Sequence, residues 1–336
     1  MANVSVIGAG SWGIALATVL CKNGHNVTIW SIVKQEIEML KEFHEHKDKL
    51  PGVILDDSMV FTDDILEATK DKDIFVMAVP SPYTRSTAHL FAPYIEKDKI
   101  IVNVAKGIEE ETLDTLTDII NEEIPQAKTA VLSGPSHAEE VSRGIPTTCV
   151  VGADEKETAE YIQNLFMNDF FRIYTSPDVL GIELGGALKN VVALAAGIAD
   201  GLGYGDNTKA ALITRGIHEI ARLGLAMGGK EESFTGLTGI GDLIVTCASM
   251  HSRNRRAGIL IGQGKTMQEA MDEVKMIVEG VYSAKAAIKL AEKYNVEVPI
   301  IEQVNLILFE NKKASEALKD LMGRDKKAEI SSLEWK

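Results

Sequence analysis

Val4-Ser5-Val6-Ile7-Gly8-Ala9-Gly10-Ser11-Trp12-Gly13 is the stretch that decides the fold. Val4 to Ile7 reads as a short apolar strand, and the three glycines follow it at once in the spacing G-x-G-x-x-G. Ile14 to Lys22 then reads as a helix, Gly24 as its C-cap, and Asn26 to Trp30 as a second strand. In that strand-turn-helix setting Gly8 permits a tight turn, Gly10 lets backbone approach a pyrophosphate, and Gly13 lets the helix pack closely on the strand. The pattern predicts dinucleotide binding; the competing reading is a glycine-rich turn that binds nothing.

Outward from this stretch, short β-rich runs recur at Ile74 to Val79, Ile100 to Val104, Ala130 to Leu132 and Thr148 to Val151, with helical or polar segments between them. Strands that are apolar nearly throughout, joined by segments long enough for a crossover, predict a doubly wound α/β domain whose parallel sheet is covered on both faces. After about Pro177 the texture changes to Ala-, Gly- and Leu-rich stretches at helical spacing: Leu184 to Ala199, Thr208 to Met227, Thr266 to Val274 and Ser283 to Lys293. The expected organisation is an α/β dinucleotide-binding domain over 1–178, a mainly α-helical domain over 179–327, and a mobile tail over 328–336 that carries the isolated Trp335.

Composition fits that layout. The 336 residues, 45% hydrophobic and 25% charged, suit a globular chain of roughly two domains. A net charge of -14 repels nucleic acid and anionic membrane over most of the surface, so an anionic ligand needs a local basic pocket. Cys21, Cys149 and Cys247 form no C-x-x-C pair, which points to neither a disulfide framework nor a metal site and suits a reducing cytoplasm. Met1 to Leu20 lacks charge but also lacks a basic leader, and its glycines interrupt it, so neither a signal peptide nor a membrane helix is expected there. No other window reads as long and apolar enough to span a bilayer.

Several clusters carry chemistry. An NAD site commonly has a carboxylate at the end of the second strand, but Trp30 is followed by Ser31, Ile32, Val33 and Lys34, and Glu36 falls in the next helix. Ser31 and Lys34 would suit a 2'-phosphate, which leans the reading towards NADP, with a plain surface lysine as the alternative. Lys106 follows an apolar strand beside Ala105 and Gly107, where open α/β sheets bind ligands. The Ser133-Gly134-Pro135-Ser136-His137-Ala138 turn offers hydroxyls and amides to a polar substrate; His137 reads either as a general base or, more simply, as loop structure. Lys189 is the one charge over sixteen residues from Leu184 to Ala199, its helical neighbours being Gly185, Gly186, Val192 and Ala193. It is either a buried proton-transfer group of lowered pKa or a lysine that snorkels to water. Arg253 in Ser252-Arg253-Asn254-Arg255-Arg256 suits a phosphate monoester, with Ser252 and Asn254 adding hydrogen bonds and Arg255 and Arg256 reading as solvated charge. Asp242, in Gly239-Ile240-Gly241-Asp242, orients a lysine, binds substrate hydroxyls or caps its helix.

Together these stretches, with Val79-Pro80-Ser81, Glu183 to Asn190 and Val278-Glu279-Gly280, resemble the bacterial-type NAD(P)-dependent sn-glycerol-3-phosphate dehydrogenases, in family order over about residues 3 to 325. The resemblance implies an N-terminal Rossmann domain, a helical C-terminal domain, and reversible reduction of dihydroxyacetone phosphate to sn-glycerol 3-phosphate for phospholipid synthesis. It implies that Ser11, Trp12, Lys106, Ala138, Arg253, Ile277 and Glu279 contact the dinucleotide. It implies further that Lys106, Gly134, Ser136, Lys189, Asp242, Ser252, Arg253 and Asn254 contact the substrate, with Lys189 as proton donor and acceptor. A homodimer is the expected partner state. One departure is the missing arginine after the second strand, where Ser31, Ile32 and Val33 stand. Two rivals remain: a β-hydroxyacid dehydrogenase, which would take a carboxylate-bearing substrate, and a dinucleotide-sensing protein without chemistry, which has no use for Lys106, Lys189 and Asp242 together.

Overall fold

The protein is described here by a computed structural model covering residues 1–326, 328 and 329. The expected tail over 328–336, Trp335 included, lies outside the described residues but for 328 and 329.

The eight strands are β1 (Asn3–Ile7), β2 (Asn26–Trp30), β3 (Val60–Thr62), β4 (Ile74–Met77), β5 (Ile100–Asn103), β6 (Lys128–Ser133), β7 (Thr147–Ala153) and β8 (Phe171–Ser176). They form one sheet in the order β3-β2-β1-β4-β5-β6-β7-β8. Between them run α1 (Ser11–Lys22), α2 (Lys34–Phe43), α3 (Ile65–Thr69), α4 (Thr84–Phe91), α5 (Leu116–Glu123), α6 (Ala138–Val141) and α7 (Lys156–Phe166). The six strands read from sequence are all present. The sheet is parallel from β3 to β6, but β7 pairs antiparallel with β6 and β8 parallel with β7, a correction to the all-parallel expectation. The sequence shows no crossover helix between β6 and β7, only the four-residue α6, so the strand returns in the opposite sense. β3 and β8 were not anticipated: β3 has three residues, and β8, at the sheet edge, alternates buried and exposed positions.

Apolar strands suit this sheet because both faces are covered. Along β4, Ile74 and Val76 join one core cluster with Val6, Leu16 and Leu132, while Phe75 and Met77 join the opposite one with Phe91 and Ile120. Fully burying each such side chain contributes roughly 1.5–3 kcal/mol before entropy is counted. The parallel order places β1 between β2 and β4, so the chain leaves β1 in one direction along the sheet and resumes at β4 in the other. The strand ends meet there: Gly8 N donates to Trp30 O at 2.8 Å and Ala78 N to Ile7 O at 2.8 Å. The crevice outside the carboxyl ends of β1 and β4 is where this architecture receives ligands.

The second half is helical: α8 (Val179–Gly201), α9 (Asp206–Met227), α10 (Glu231–Thr235), a π-helical turn (Leu237–Gly241), α11 (Asp242–Ala248), α12 (Arg253–Gly262), α13 (Met267–Val274), α14 (Glu279–Lys293), α15 (Pro299–Phe309) and α16 (Ala314–Met322). At its centre is α8, 23 residues long with an 18-residue stretch of mean hydropathy 1.5, long and apolar enough by itself to cross a membrane. That corrects the expectation that no window beyond Met1 to Leu20 has such a length and composition. The helix is nonetheless enclosed by protein, 89% of its apolar window being buried. Its start is fixed by Asp178, whose Oδ1 accepts from Gly181 N at 3.0 Å.

The tightest packing in this half is α8 against α12, and glycine makes it possible. A Cβ at Gly258 would collide with the Leu194 carbonyl oxygen and lie 2.9 Å from the Gly197 Cα; one at Gly197 would collide with Arg255 O. Since the obstacles are backbone atoms, neither helix can yield without separating. Alanine at position 258 gains up to about 1 kcal/mol of helix propensity, but overpacking costs typically 1–3 kcal/mol and more where backbone must move. Gly258→Ala is therefore expected to be net destabilising, read as a lower thermal midpoint; an unchanged or raised midpoint would contradict the close approach.

Candidate active site

The Gly8–Gly13 turn has the features a pyrophosphate needs. Gly8 has φ +116°, and a Cβ there would sit 2.8 Å from the Ala78 carbonyl oxygen. Gly10 is the N-cap of α1, with no side chain capping it and no acidic residue in the first turn, so the positive end of a 12-residue helix stays open for an anion. Ser11 begins that helix, and the Trp12 indole nitrogen is buried without a hydrogen-bond partner among the described residues. These residues fit a dinucleotide.

At the end of β2 the side chains are arranged in a way that sequence adjacency hides. Ser31 is buried, and its hydroxyl donates to Glu36 Oε2 at 2.8 Å. The other Glu36 oxygen accepts from Lys49 and lies 3.7 Å from His46 Nε2. Lys34 points elsewhere: it is 75% exposed, with Nζ 3.7 Å from Asp63.

Across the crevice, three charged groups from three elements converge. Lys106, in the loop after β5, donates to Gly134 O at 3.0 Å and to Asp242 Oδ2 at 2.6 Å. Lys189, midway along α8, donates to Asp242 Oδ1 at 2.8 Å and to Thr246 Oγ1 at 2.6 Å. Asp242 opens α11 and is itself buried, so one carboxylate holds two ammonium groups at fixed positions. Lys189, only 7% exposed, does not snorkel. Burial lowers its pKa to about 8; the charge of Asp242 opposes that shift and Lys106 reinforces it. Burial disfavours the Asp242 anion too, yet the two lysines outweigh it and hold the carboxyl below its usual range. Of the three roles open to Asp242, orienting lysines is the one its geometry displays.

Around this trio, Arg253 begins α12 and donates to Ile277 O at 3.3 Å, its pKa lowered by burial. Ser252 caps the same helix, accepting from Arg255 N at 3.1 Å. Asn254 is tied on both sides of its amide: it donates to Asn190 Oδ1 at 2.9 Å and accepts from Gly280 N at 2.9 Å, joining α12 to α8 and α14. Glu279 reaches from α14 to the N-terminal half, accepting from Ser81 N at 3.1 Å and from the Ser81 hydroxyl. Ser136 donates to Gly134 O at 2.9 Å, and Ala138 is buried at the start of α6. His137 stands at the N-cap position of that helix with its ring 5.6 Å from His251; burial first, then Lys189, lowers its pKa. Arg255 is not solvated charge: its Nε and Nη2 lie 2.8 and 2.7 Å from Asp200 Oδ2, and Nη1 donates to Ala248 O. Arg256, read likewise as solvated, has a buried Nε with no partner among the described residues.

Comparison with known proteins agrees with this layout at both ends of the chain. Residues 3–159 match the family model for the N-terminus of NAD-dependent glycerol-3-phosphate dehydrogenase, and residues 178–319 match the model for its C-terminus. The chain belongs to that family. It is 67% identical over 336 residues to a glycerol-3-phosphate dehydrogenase [NAD(P)+] of Agathobacter rectalis, covering 100% of both chains. A relative of the same name from Fusobacterium nucleatum is 65% identical, with 99% of this chain and 100% of the other covered. Among solved structures, a glycerol-3-phosphate dehydrogenase of Coxiella burnetii superposes with a TM-score of 0.93 at 33% identity, covering 96% of this chain and 99% of that one.

Two contacts within this family member were not read from sequence. Thr246 stands four residues after Asp242, hence on the same helical face; that spacing was the available signal for its bond to Lys189. Ser81 had no such signal, because its partner Glu279 lies 198 residues away.

Asp242→Asn should leave two ammonium groups facing a neutral amide. Losing the carboxylate removes the influence that raises the Lys189 pKa, so that pKa falls further below 8, and breaking a buried ion pair costs about 3–5 kcal/mol. Titration of labelled lysine by NMR together with denaturant unfolding checks both; an unmoved or raised Lys189 pKa would contradict the arrangement.

Proposed function

We propose that the chain reduces dihydroxyacetone phosphate to sn-glycerol 3-phosphate, reversibly, with NADH or NADPH, and that Lys189 is the proton donor in reduction and acceptor in oxidation. The observation that carries this reading is the Asp242 carboxylate gripping Lys106 and Lys189. A carbonyl accepting hydride needs a proton or a cation at its developing alkoxide. An ammonium whose pKa is about 8 gives up its proton readily near neutral pH and regains it from solvent.

Gly8, Gly10, Ser11, Trp12 and Gly13 hold the dinucleotide, joined by Lys106, Ala138, Arg253, Ile277 and Glu279 from the far wall. Bound there, the nicotinamide supplies or accepts the hydride. On the substrate side, Lys189 protonates the oxygen on C2, and Lys106 adds positive charge near the reacting oxygens. Gly134 and Ser136 offer polar contacts from the loop after β6. Asp242 fixes both lysines, while Ser252, Arg253 and Asn254 form the phosphate end. Asn254 contributes there with its one uncommitted amide hydrogen, the rest of the side chain being bonded to Asn190 and Gly280. Anchoring the phosphate fixes C2 against the nicotinamide, so the remote group contributes to turnover as well as to affinity.

The division at 178/179 between a dinucleotide domain and a substrate domain, a cytoplasmic location, a homodimer and a role in supplying the phospholipid backbone belong to the same proposal. The bond from Glu279 on α14 to Ser81 after β4 supports a cleft closed by both halves.

The test is oxidation of reduced nicotinamide followed by absorbance. Lys189→Met, which keeps the length and loses the proton, is expected to lower kcat by at least about 100-fold. In the parent protein, reduction needs the ammonium, so its kcat/KM should fall as pH rises through about 8, while kcat/KM for oxidation of glycerol 3-phosphate, which needs the free amine, should rise over the same range. Dihydroxyacetone without phosphate should lose kcat as well as affinity. Full activity of Lys189→Met, or parallel pH profiles in the two directions, would remove the lysine from its role.

A further inference from the structure

We propose that Glu36, acting through Ser31, makes this chain prefer the unphosphorylated dinucleotide, NAD(H), over its 2'-phosphorylated form. The inference rests on the dinucleotide reading above and goes beyond it by naming the positioning residue that selects the cofactor.

The residue following the second strand faces the adenosine ribose in this architecture, and Ser31 occupies that position. Its hydroxyl has one proton and two lone pairs. The proton goes to Glu36 Oε2 at 2.8 Å, and Val33 N donates to Ser31 Oγ at 3.2 Å. What remains is one lone pair, so Ser31 can accept a further hydrogen bond but has none to give. A ribose 2'-hydroxyl can donate to it; a 2'-phosphate, an acceptor in its dianionic form, gains nothing from it.

The charges around Ser31 act in the same direction. Glu36 accepts from Lys49, lies 3.7 Å from His46, and is held well below the ordinary carboxylate range: burial opposes this, but the nearby His46 ring and the bonds from Lys49 and Ser31 prevail. Lys34, on the other side, faces Asp63 across 3.7 Å and stands 75% in water, where an ion pair has little strength. The charged groups facing the strand end are thus Glu36 and Asp63 against Lys34 and Lys49, with the His46 imidazole beside Glu36; both lysines already stand against carboxylates, and no guanidinium is among these groups to grip a phosphate with two parallel bonds. To bind the 2'-phosphate, Ser31 would have to turn its proton away from Glu36, leaving two anions on adjacent sides of one hydroxyl.

Isothermal titration calorimetry of the purified full-length chain with NADH and with NADPH, without substrate, reads the preference directly. We expect NADH to bind at least about tenfold more tightly, equivalent to about 1.4 kcal/mol. Glu36→Gln keeps an acceptor for Ser31 and frees the Lys49 charge; it should bring the ratio of dissociation constants to about threefold or less, chiefly by tightening NADPH. Lys49→Ala, at a partly exposed position, should widen the ratio and serves as the deciding variant should Glu36→Gln not fold. A role confined to stability would weaken both cofactors alike, and an unmoved ratio in either folded variant overturns the proposal. So does parent protein that binds NADPH as tightly as NADH. If neither cofactor binds, the dinucleotide reading falls and takes this proposal with it; if the preference is present but dihydroxyacetone phosphate is not reduced, the substrate reading fails alone.

Discussion

One carboxylate ties together the two halves of the molecule. Asp242 receives Lys106 from the end of β5 on one oxygen and Lys189 from α8 on the other. Neither lysine would be tolerated where it is without that anion, since burying an unpaired charge costs several kcal/mol after relaxation. The same carboxylate would be untenable without the lysines, for burial alone favours its protonation. Removing Asp242 leaves two ammonium groups in low dielectric without a counter-ion, and removing one lysine leaves a neutral pair where a net positive charge stood, so the three are better regarded as one unit than as separate residues.

That unit is only as well placed as the elements that carry it. Lys189 is positioned by α8, and α8 by the glycine-lined approach of α12 at Gly197 and Gly258. The same approach fixes the start of α12, where Arg253 donates to Ile277 O. Asn254 then locks the arrangement with bonds to Asn190 and to the first turn of α14, from which Glu279 reaches Ser81. A chain of backbone contacts and buried amides therefore runs from the core of the helical half to the strand ends of the sheet. Geometry held this way supports transfer chemistry, where a displacement of about 1 Å is costly.

The sequence was most legible where short-range rules dominate. The strand-turn-helix around Gly8 and the apolar strands could be read because sterics and burial act within a few residues. The antiparallel β7 was missed because only the brevity of the β6–β7 connection signals it, and β8 because an edge strand with alternating exposure leaves a weak apolar trace. At the site, the residue types were visible but not their pairings. Nothing in the spacing chooses between a snorkelling and a buried Lys189, because the choice depends on Asp242, 53 residues away. Likewise Glu36 looked remote from the strand end until the first turn of α2 brought it back to Ser31. Arg255 read as surface charge because its partner Asp200 lies on another helix.

The charge of the whole chain gives these local arrangements their meaning. At -14, the protein repels phosphate compounds generally, so selectivity must come from a few enclosed cations. Lys189 and Asp242 are buried, and Arg253 and Lys106 are largely covered, so the lowered dielectric around them strengthens the attraction of these cations for an anion. Burial that lowers the Lys189 pKa makes the ammonium a better acid, but it also threatens to discharge the site before substrate arrives. Asp242 and an incoming phosphate act against that loss, since each favours the ammonium form. In the proposed reaction this balance would keep the proton on Lys189 until hydride transfer creates the alkoxide that takes it, and the carboxylates of the acidic exterior favour the same protonated state.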